Sequence, residues 1–332
     1  MILAADVGGT KTRVALYPPG GSPREPHREA RLASRDYPSL EALVISFLAS
    51  DAPPSVATFG IAGPVVDGRC EGANLPWVAD SRVLSRSFGD AAVSLLNDLE
   101  ATAHGLDLLT PAELAPLQIG APHPGPRALI AAGTGLGLAT VARVGDRWLP
   151  MPSEGGHADL APHDAEGVEL YNWLAQRYDA LSDGHVSVER VLSGRGLADI
   201  YRFLSETGRG GEPAEFATRA LGAEDLAPLV SAAALDGSCE RARLAVRWFA
   251  RFYGAEAGNL ALRALATAGV YLGGGIAPRL LTLLQDGAFI EAFNSKGRLR
   301  RLVERVPVHV ILDDRTAMWG AARVALAGSS KT

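Results

Sequence analysis

Asp6 stands between the apolar run Ile2-Leu3-Ala4-Ala5 and the glycine turn that Val7 leads into, Gly8-Gly9-Thr10. An ionised carboxylate in that place needs solvent or a cation, and a hydrated Mg²⁺ beside phosphates is one natural partner; a side chain closing an Asx-type turn is the structural alternative. Glycine suits phosphate because its backbone N–H can approach the oxygens with no Cβ in the way. The arrangement recurs at Gly133-Thr134-Gly135, and a third glycine turn, Gly273-Gly274-Gly275, follows the apolar Gly269-Val270-Tyr271-Leu272. Any one of these is equally well a tight turn. Taken together, with Asp6 and the hydroxyls of Thr10 and Thr134 beside them, they point to phosphate binding. Neither Gly-x-x-x-x-Gly-Lys-Ser/Thr nor Gly-x-Gly-x-x-Gly is present, so Walker ATPases and ordinary dinucleotide folds lose most of their support.

Further acids and amides sit where chemistry could use them. Asn97-Asp98-Leu99-Glu100 follows a short apolar run and puts an amide and a carboxylate at the carboxyl end of a strand, where open α/β sheets keep their ligands. The same four residues also read as a capping box, with Asp98 suited to a helix first turn by the dipole alone. Ser153-Glu154-Gly155-Gly156-His157 sets a carboxylate and an imidazole around two glycines, a loop able to present both to a polyhydroxyl ligand, each of whose hydroxyls donates and accepts. Glu154, His157 and His163 as a metal set lack a close third ligand or a cysteine. His185-Val186-Ser187-Val188-Glu189-Arg190 brings one more acid to a loop-to-helix boundary.

The elements that must hold these groups alternate. A strand over 2–5 and another over 13–17 flank the first glycine turn as a hairpin. A helix begins after Ser39, strands follow at 56–62 and 91–96, and a helix runs from about Asp98 to Gly105. The strand–glycine turn–strand pattern returns at 128–142. It is displaced from the first by about one domain length, which suggests duplication. Helical spacing recurs at 168–176, 197–204, 215–220, 239–265 and 277–284. Strands alternating with helices predict an α/β protein with a largely buried sheet.

Length and composition bound the rest. A chain of 332 residues is about two domains long, and its 47% hydrophobic and 21% charged content excludes disordered and fibrous classes. The net charge of -5 has the wrong sign for general phosphate-backbone binding, so no nucleic acid is expected. The longest uncharged stretches, 128–142 and 264–278, fall short of the ~18 residues a membrane helix needs, and the N-terminus carries no basic leader. Two unpaired cysteines, Cys70 and Cys239, suit a reducing compartment. The expectation is a cytoplasmic protein without a membrane partner.

In order along the chain, these segments resemble the bacterial glucokinases of the hexokinase, actin and heat-shock chaperone superfamily. The resemblance rests on Asp6-Val7-Gly8-Gly9-Thr10, Asn97-Asp98, Gly133-Thr134-Gly135-Leu136-Gly137, Glu154-Gly155-Gly156-His157, the run His185 to Gly194 and Gly273-Gly274-Gly275-Ile276-Ala277-Pro278, with Asn74-Leu75-Pro76-Trp77 besides. It implies two ribonuclease-H-like α/β domains flanking a cleft, a small one over 1–106 plus 314–332 and a large one over 107–313 enlarged by helices. Mg-ATP and glucose would meet there. Asn74, Asn97, Asp98, Glu154, His157 and Glu189 would hold the sugar, and Asp98 would take the proton of the 6-hydroxyl as it attacks the γ-phosphoryl group. Ala5 to Thr10, Gly133 to Gly135 and Gly273 to Gly275 would hold ATP, with Asp6 orienting water-bound Mg²⁺. The product would be glucose 6-phosphate, and relatives of this kind are commonly homodimers. Lys11 and Thr12 depart from the Asn and Ala of many close relatives. The alternatives carried beside this reading are a hexose kinase of broader specificity, one using another donor such as polyphosphate, and a sugar and nucleotide sensor without turnover. The last lacks support because every acid the chemistry needs is present.

Overall fold

The computed structural model describes residues 1–72, 75–145, 147–182 and 184–329; Asn74 lies outside them. The chain divides into two compact units. Unit 1 comprises Met1–Glu113, Trp148–Pro152 and Asp313–Thr332, and unit 2 comprises Leu114–Arg147 and Ser153–Leu312.

Unit 1 is built on a sheet of β1 (Ile2–Val7), β2 (Lys11–Tyr17), β3 (Arg28–Ala33), β4 (Val56–Ile61) and β5 (Ala92–Asn97) in the order β3-β2-β1-β4-β5. The β1–β2 and β2–β3 pairs are antiparallel, β1–β4 and β4–β5 parallel. Strand side chains alternate faces, and both faces of β1 are covered. Leu3, Ala5 and Val7 pack with Leu40, Leu43 and Val44 of the helix Leu40–Leu48, which Ser39 caps through Ala42 N. Ile2 and Ala4 pack with Met318, Trp319 and Ala322 of the helix Thr316–Ser329. This double burial is why the strand reads as an unbroken apolar run. It also places Asp6, two residues beyond Ala4, on the face that the last helix covers.

The helix Asp98–Gly105 lies against Thr316–Ser329 at a separation only glycine permits. A Cβ on Gly320 would stand 1.8 Å from the Ala101 carbonyl oxygen, and one on Gly105 would stand 2.2 Å from that of Thr316. An uncrowded helical Gly→Ala change should stabilise by about 1 kcal/mol. Here the clash reverses the sign, because both obstacles are backbone. Gly320→Ala is expected to destabilise unit 1 by about 2–3 kcal/mol, read as a lower urea midpoint at unchanged slope. A midpoint equal to or above that of the parent would show that the two helices can part without loss.

Unit 2 repeats the nucleus of unit 1. Its strands β6 (Leu114–Gln118), β7 (Arg127–Ala132), β8 (Leu136–Val144), β9 (Gly269–Gly273) and β10 (Val308–Ile311) run in the order β8-β7-β9-β10-β6. The β7–β8 and β10–β6 pairs are antiparallel, β7–β9 and β9–β10 parallel. Each unit therefore has a hairpin closed by a three-residue glycine turn, Gly8 to Thr10 in one and Gly133 to Gly135 in the other, whose first strand has a parallel neighbour. Helices Ala165–Ser182, Gly194–Glu206, Ala214–Leu221, Leu226–Asp236 and Glu240–Ala264 enlarge unit 2. The expected helix over 277–284 is instead two single turns, Ile276–Arg279 and Leu281–Leu284. Pro278 offers no N–H to a helical ladder, and the fully buried Leu280 leaves helical angles at φ −96°, ψ 14°. No helix among the described residues is long and apolar enough to cross a membrane.

Candidate active site

In unit 1 the carboxyl ends of β1, β4 and β5 carry the candidate groups. Asp6 pairs in register with Arg13 on β2 and Gly60 on β4. Its surroundings withdraw water, and burial pushes its carboxyl up from 3.8 to about 6, with Arg13 opposing the shift. Among the described residues no donor reaches the Asp6 carboxylate. A desolvated carboxylate without a donor is the condition in which a cation is most welcome, so the residue fits a hydrated Mg²⁺. The Gly8 to Thr10 turn next to it is tight: Gly8 N donates to the Lys11 carbonyl at 3.1 Å, and a Cβ on Gly8 would stand 3.0 Å from that oxygen.

Ser34, which sequence reasoning passed over, and Thr12 brace this turn. Ser34 Oγ donates to the Gly8 carbonyl at 2.6 Å, and Ser34 N donates to the Thr10 carbonyl at 3.0 Å. Since the Ser34 proton is committed to Gly8, Thr12 Oγ1 donates to Ser34 Oγ at 3.0 Å, and both side chains are fully buried. Thr12 thus has a structural role. In the sequence Thr12 stands between Lys11 and Arg13, where nothing signals its burial.

Asn97 ends β5 and caps the helix Asp98–Gly105. Its Oδ1 accepts from Leu99 N at 2.8 Å, while its Nδ2 donates to the Gly63 carbonyl at 3.0 Å. Glu100, raised by burial, is held back by the Asn97 backbone N–H, which completes the capping box. Capping and function do not compete here. The cap fixes the first turn, and that turn aims the half-buried Asp98, whose Oδ1 also accepts from Leu99 N at 2.9 Å. Gly60 lets the helix approach β4, since a Cβ there would stand 2.7 Å from that of Ala101.

In unit 2 the second glycine turn gathers the other candidates. Glu189 Oε2 accepts from Leu136 N at 2.8 Å, the first residue past the turn, and a Cβ on Gly135 would stand 2.6 Å from the same oxygen. The loop bearing Glu154 and His157 lies on β8: Ser153 Oγ donates to the Leu138 carbonyl, and a Cβ on Gly156 would stand 2.1 Å from the Leu136 carbonyl oxygen. This loop is tied to the Glu189 segment by Val188 N to the Ala158 carbonyl at 2.9 Å and Leu160 N to the Val186 carbonyl at 2.8 Å. Glu154 and His157 are both more than half exposed, 3.9 Å apart, with donors and acceptors open to a hydroxylated ligand. The fold of unit 2 therefore collects Glu154, His157, Glu189 and Gly133 to Gly135 from separate stretches of chain.

Gly274 leans on the same turn, in the left-handed region at φ +77° and with its would-be Cβ 2.3 Å from the Ala132 carbonyl oxygen. Gly194 N reaches it from the other side, donating to the Gly133 carbonyl at 2.9 Å. Between these segments opens a cavity of about 600 Å³ lined by Gly133, Thr134, Gly275 and Ile276 and by residues from the helices Ala165–Ser182, Gly194–Glu206 and Leu226–Asp236. It is large enough for a nucleotide. Its helical walls carry no motif, which is why they escaped notice in the sequence.

Comparison with known proteins adds an independent finding. A glucokinase family model matches residues 3–327. A glucokinase from Nostoc sp. is 38% identical over 97% of this chain and 98% of its own, and one from Synechocystis sp. is 39% identical over 96% of each. The crystal structure of a glucokinase from an Antarctic psychrotroph superposes with a TM-score of 0.80 at 28% identity, covering 98% of both chains.

Proposed function

The chain belongs to the glucokinase family and is an ATP-dependent glucose kinase, and from that premise we propose how its residues carry the reaction. Asp98 accepts the proton of the glucose 6-hydroxyl as that oxygen attacks the γ-phosphoryl group of ATP. The observation that carries this assignment is its place in a first helical turn at the end of β5, set by the Asn97 cap. Phosphoryl transfer passes through a loose transition state, so a fixed carboxylate contributes more by holding the hydroxyl in line than by basicity.

The remaining roles follow from what each group can offer. Asn74, Asn97, Glu154, His157 and Glu189 hold the sugar hydroxyls; carboxylates accept and the amides and imidazole also donate, a set suited to distinguishing one hexose from another. Residues Ala5 to Thr10 and Gly133 to Gly135 cradle the phosphates of ATP, and Gly273 to Gly275 border its nucleoside. Asp6 would hold magnesium through water. The ion would neutralise phosphate charge when bound. Because Glu189 also accepts from Leu136 N, the sugar-binding carboxylate and the second phosphate turn form one rigid piece. The proposal extends to a cytoplasmic homodimer, on the family resemblance and on two buried cysteines outside any disulfide, which suit a reducing compartment.

Purified protein given glucose, ATP and Mg²⁺ is expected to release glucose 6-phosphate and ADP in equal amounts. Mannose, glucosamine and fructose in parallel set its specificity. A higher kcat/KM for any of these would replace glucose as the substrate, and ADP release without sugar phosphate would remove the kinase reading.

A further inference from the structure

The cavity beside the second phosphate turn has charged walls of two kinds. Asp199 is fully buried, accepts from Tyr178 OH at 2.6 Å through one oxygen and from Arg202 Nη1 at 2.9 Å through the other, and so fixes two cavity-lining side chains from two helices. Arg202 is neutralised by that contact. Asp225 is occupied as well, capping the helix Leu226–Asp236 through Ala227 N at 3.2 Å. Three ionic groups of the lining remain, Arg195, Arg279 and Glu224, none with a hydrogen bond, ion pair or ring contact among the described residues. Arg195 and Arg279 are thus the lining cations that no carboxylate of the described residues holds, beside the anions Glu224 and Asp225.

Both free guanidinium groups spring from backbone clamped to the Gly133 to Gly135 turn. Arg195 follows Gly194, whose N–H donates to the Gly133 carbonyl at 2.9 Å, and Arg279 ends the single turn Ile276–Arg279, which begins two residues after Gly274, the residue that rests on Ala132. We propose that Arg195 and Arg279 are the residues that select a charged phosphate chain in the donor, binding non-transferred phosphate oxygens of the nucleotide. The inference deepens the functional reading above and rests on its assignment of this turn to ATP. A guanidinium suits the task because its planar fork meets phosphate oxygens two at a time and stays charged at every working pH. The wall fixed by Asp199 supplies shape, and the two arginines supply the charge recognition.

The test is calorimetric titration of the full-length protein with Mg-ADP and, separately, with adenosine. It is run on the wild type, Arg195→Met, Arg279→Met and the double variant; methionine keeps the stem and removes the charge. Each single change is expected to weaken ADP binding by about tenfold or more, as loss of a charge-assisted bond does, with adenosine binding within twofold. In steady state the KM for ATP rises in step, while the KM for glucose stays within twofold. Lysine at either position should recover part of the loss. Double-variant ADP affinity within twofold of wild type would overturn the proposal, and so would an equal loss for adenosine and ADP, which would mean a wall of the cavity and not phosphate recognition. Wild-type protein that forms glucose 6-phosphate yet binds no ADP would overturn the assignment of the cavity to the nucleotide, and the role of both arginines with it.

Discussion

Asp98→Asn is expected to lower kcat by about a thousandfold or more while the glucose dissociation constant changes by less than tenfold. The substitution keeps size, and the elements that fix position 98 remain: Asn97 still caps the helix through Leu99 N, and Gly60 still admits the helix against β4. What changes is the loss of a charge that accepts a proton. The fold should register only the weaker helix-dipole contribution of a first-turn carboxylate, about 0.3–1 kcal/mol. Rapid-quench measurement of the chemical step with glucose saturating separates the two. A kcat within tenfold of wild type would remove Asp98 from the role of base. A large loss of glucose affinity at preserved kcat would make it a sugar ligand only.

Asp6→Asn should give a protein that is more stable and far less active. In the metal-free protein, holding the Asp6 carboxyl ionised at neutral pH, when burial has moved it from 3.8 to about 6, costs the fold on the order of 2–3 kcal/mol. The folded state binds this proton more tightly than the unfolded one. The group is therefore without penalty below pH 4, its penalty grows between pH 4 and 6, and it is at its full value above pH 6. Asparagine removes the charge and keeps a neutral polar group without a partner, so a gain of about 1–2 kcal/mol remains at pH 8, vanishing towards pH 4. Melting curves in EDTA from pH 4 to 8 read this directly; an asparagine variant that melts below the wild type at pH 8 would contradict it. The same change should raise the Mg²⁺ requirement and reduce kcat/KM for ATP by about 10–100-fold, the usual consequence of disturbing a group that orients a metal's water shell. Wild-type activity should also weaken as pH falls through about 6, because protonation of Asp6 competes with the cation, and the variant should lack that limb.

The two substitutions illustrate what a linear chain can disclose. The Asp6-Val7-Gly8-Gly9-Thr10 segment and the Asn97-Asp98 pair were readable as candidates because the function proposed for each is local. A phosphate cradle needs consecutive small residues, and a base presented by a helix first turn needs only a strand end and a cap. The helix caps at Ser39 and Asn97 were readable for the same reason. The strand Arg28–Ala33 was not, since an edge strand exposed at alternate residues offers polar and apolar residues in equal measure and no turn signal. The helix Leu226–Asp236 was hidden by its alanine-rich composition, whose period is weak.

By itself the sequence determined the class of this protein, its α/β alternation, the recurrence of a glycine-turned hairpin and a set of candidate acids, because hydrophobic period and turn composition act over a few residues. Only the tertiary structure decided which of those acids are free and which are occupied. Glu189 is bonded to Leu136 of the second turn, Asp199 is spent on Tyr178 and Arg202, and Asp6 is desolvated by a helix more than three hundred residues away along the chain. Burial and charge pairing depend on what long-range packing brings within a few ångströms, and no spacing along the chain encodes that distance. The same holds for Arg195 and Arg279, ordinary surface arginines in the sequence that become a pair only because Gly194 and Gly274 both close on one turn.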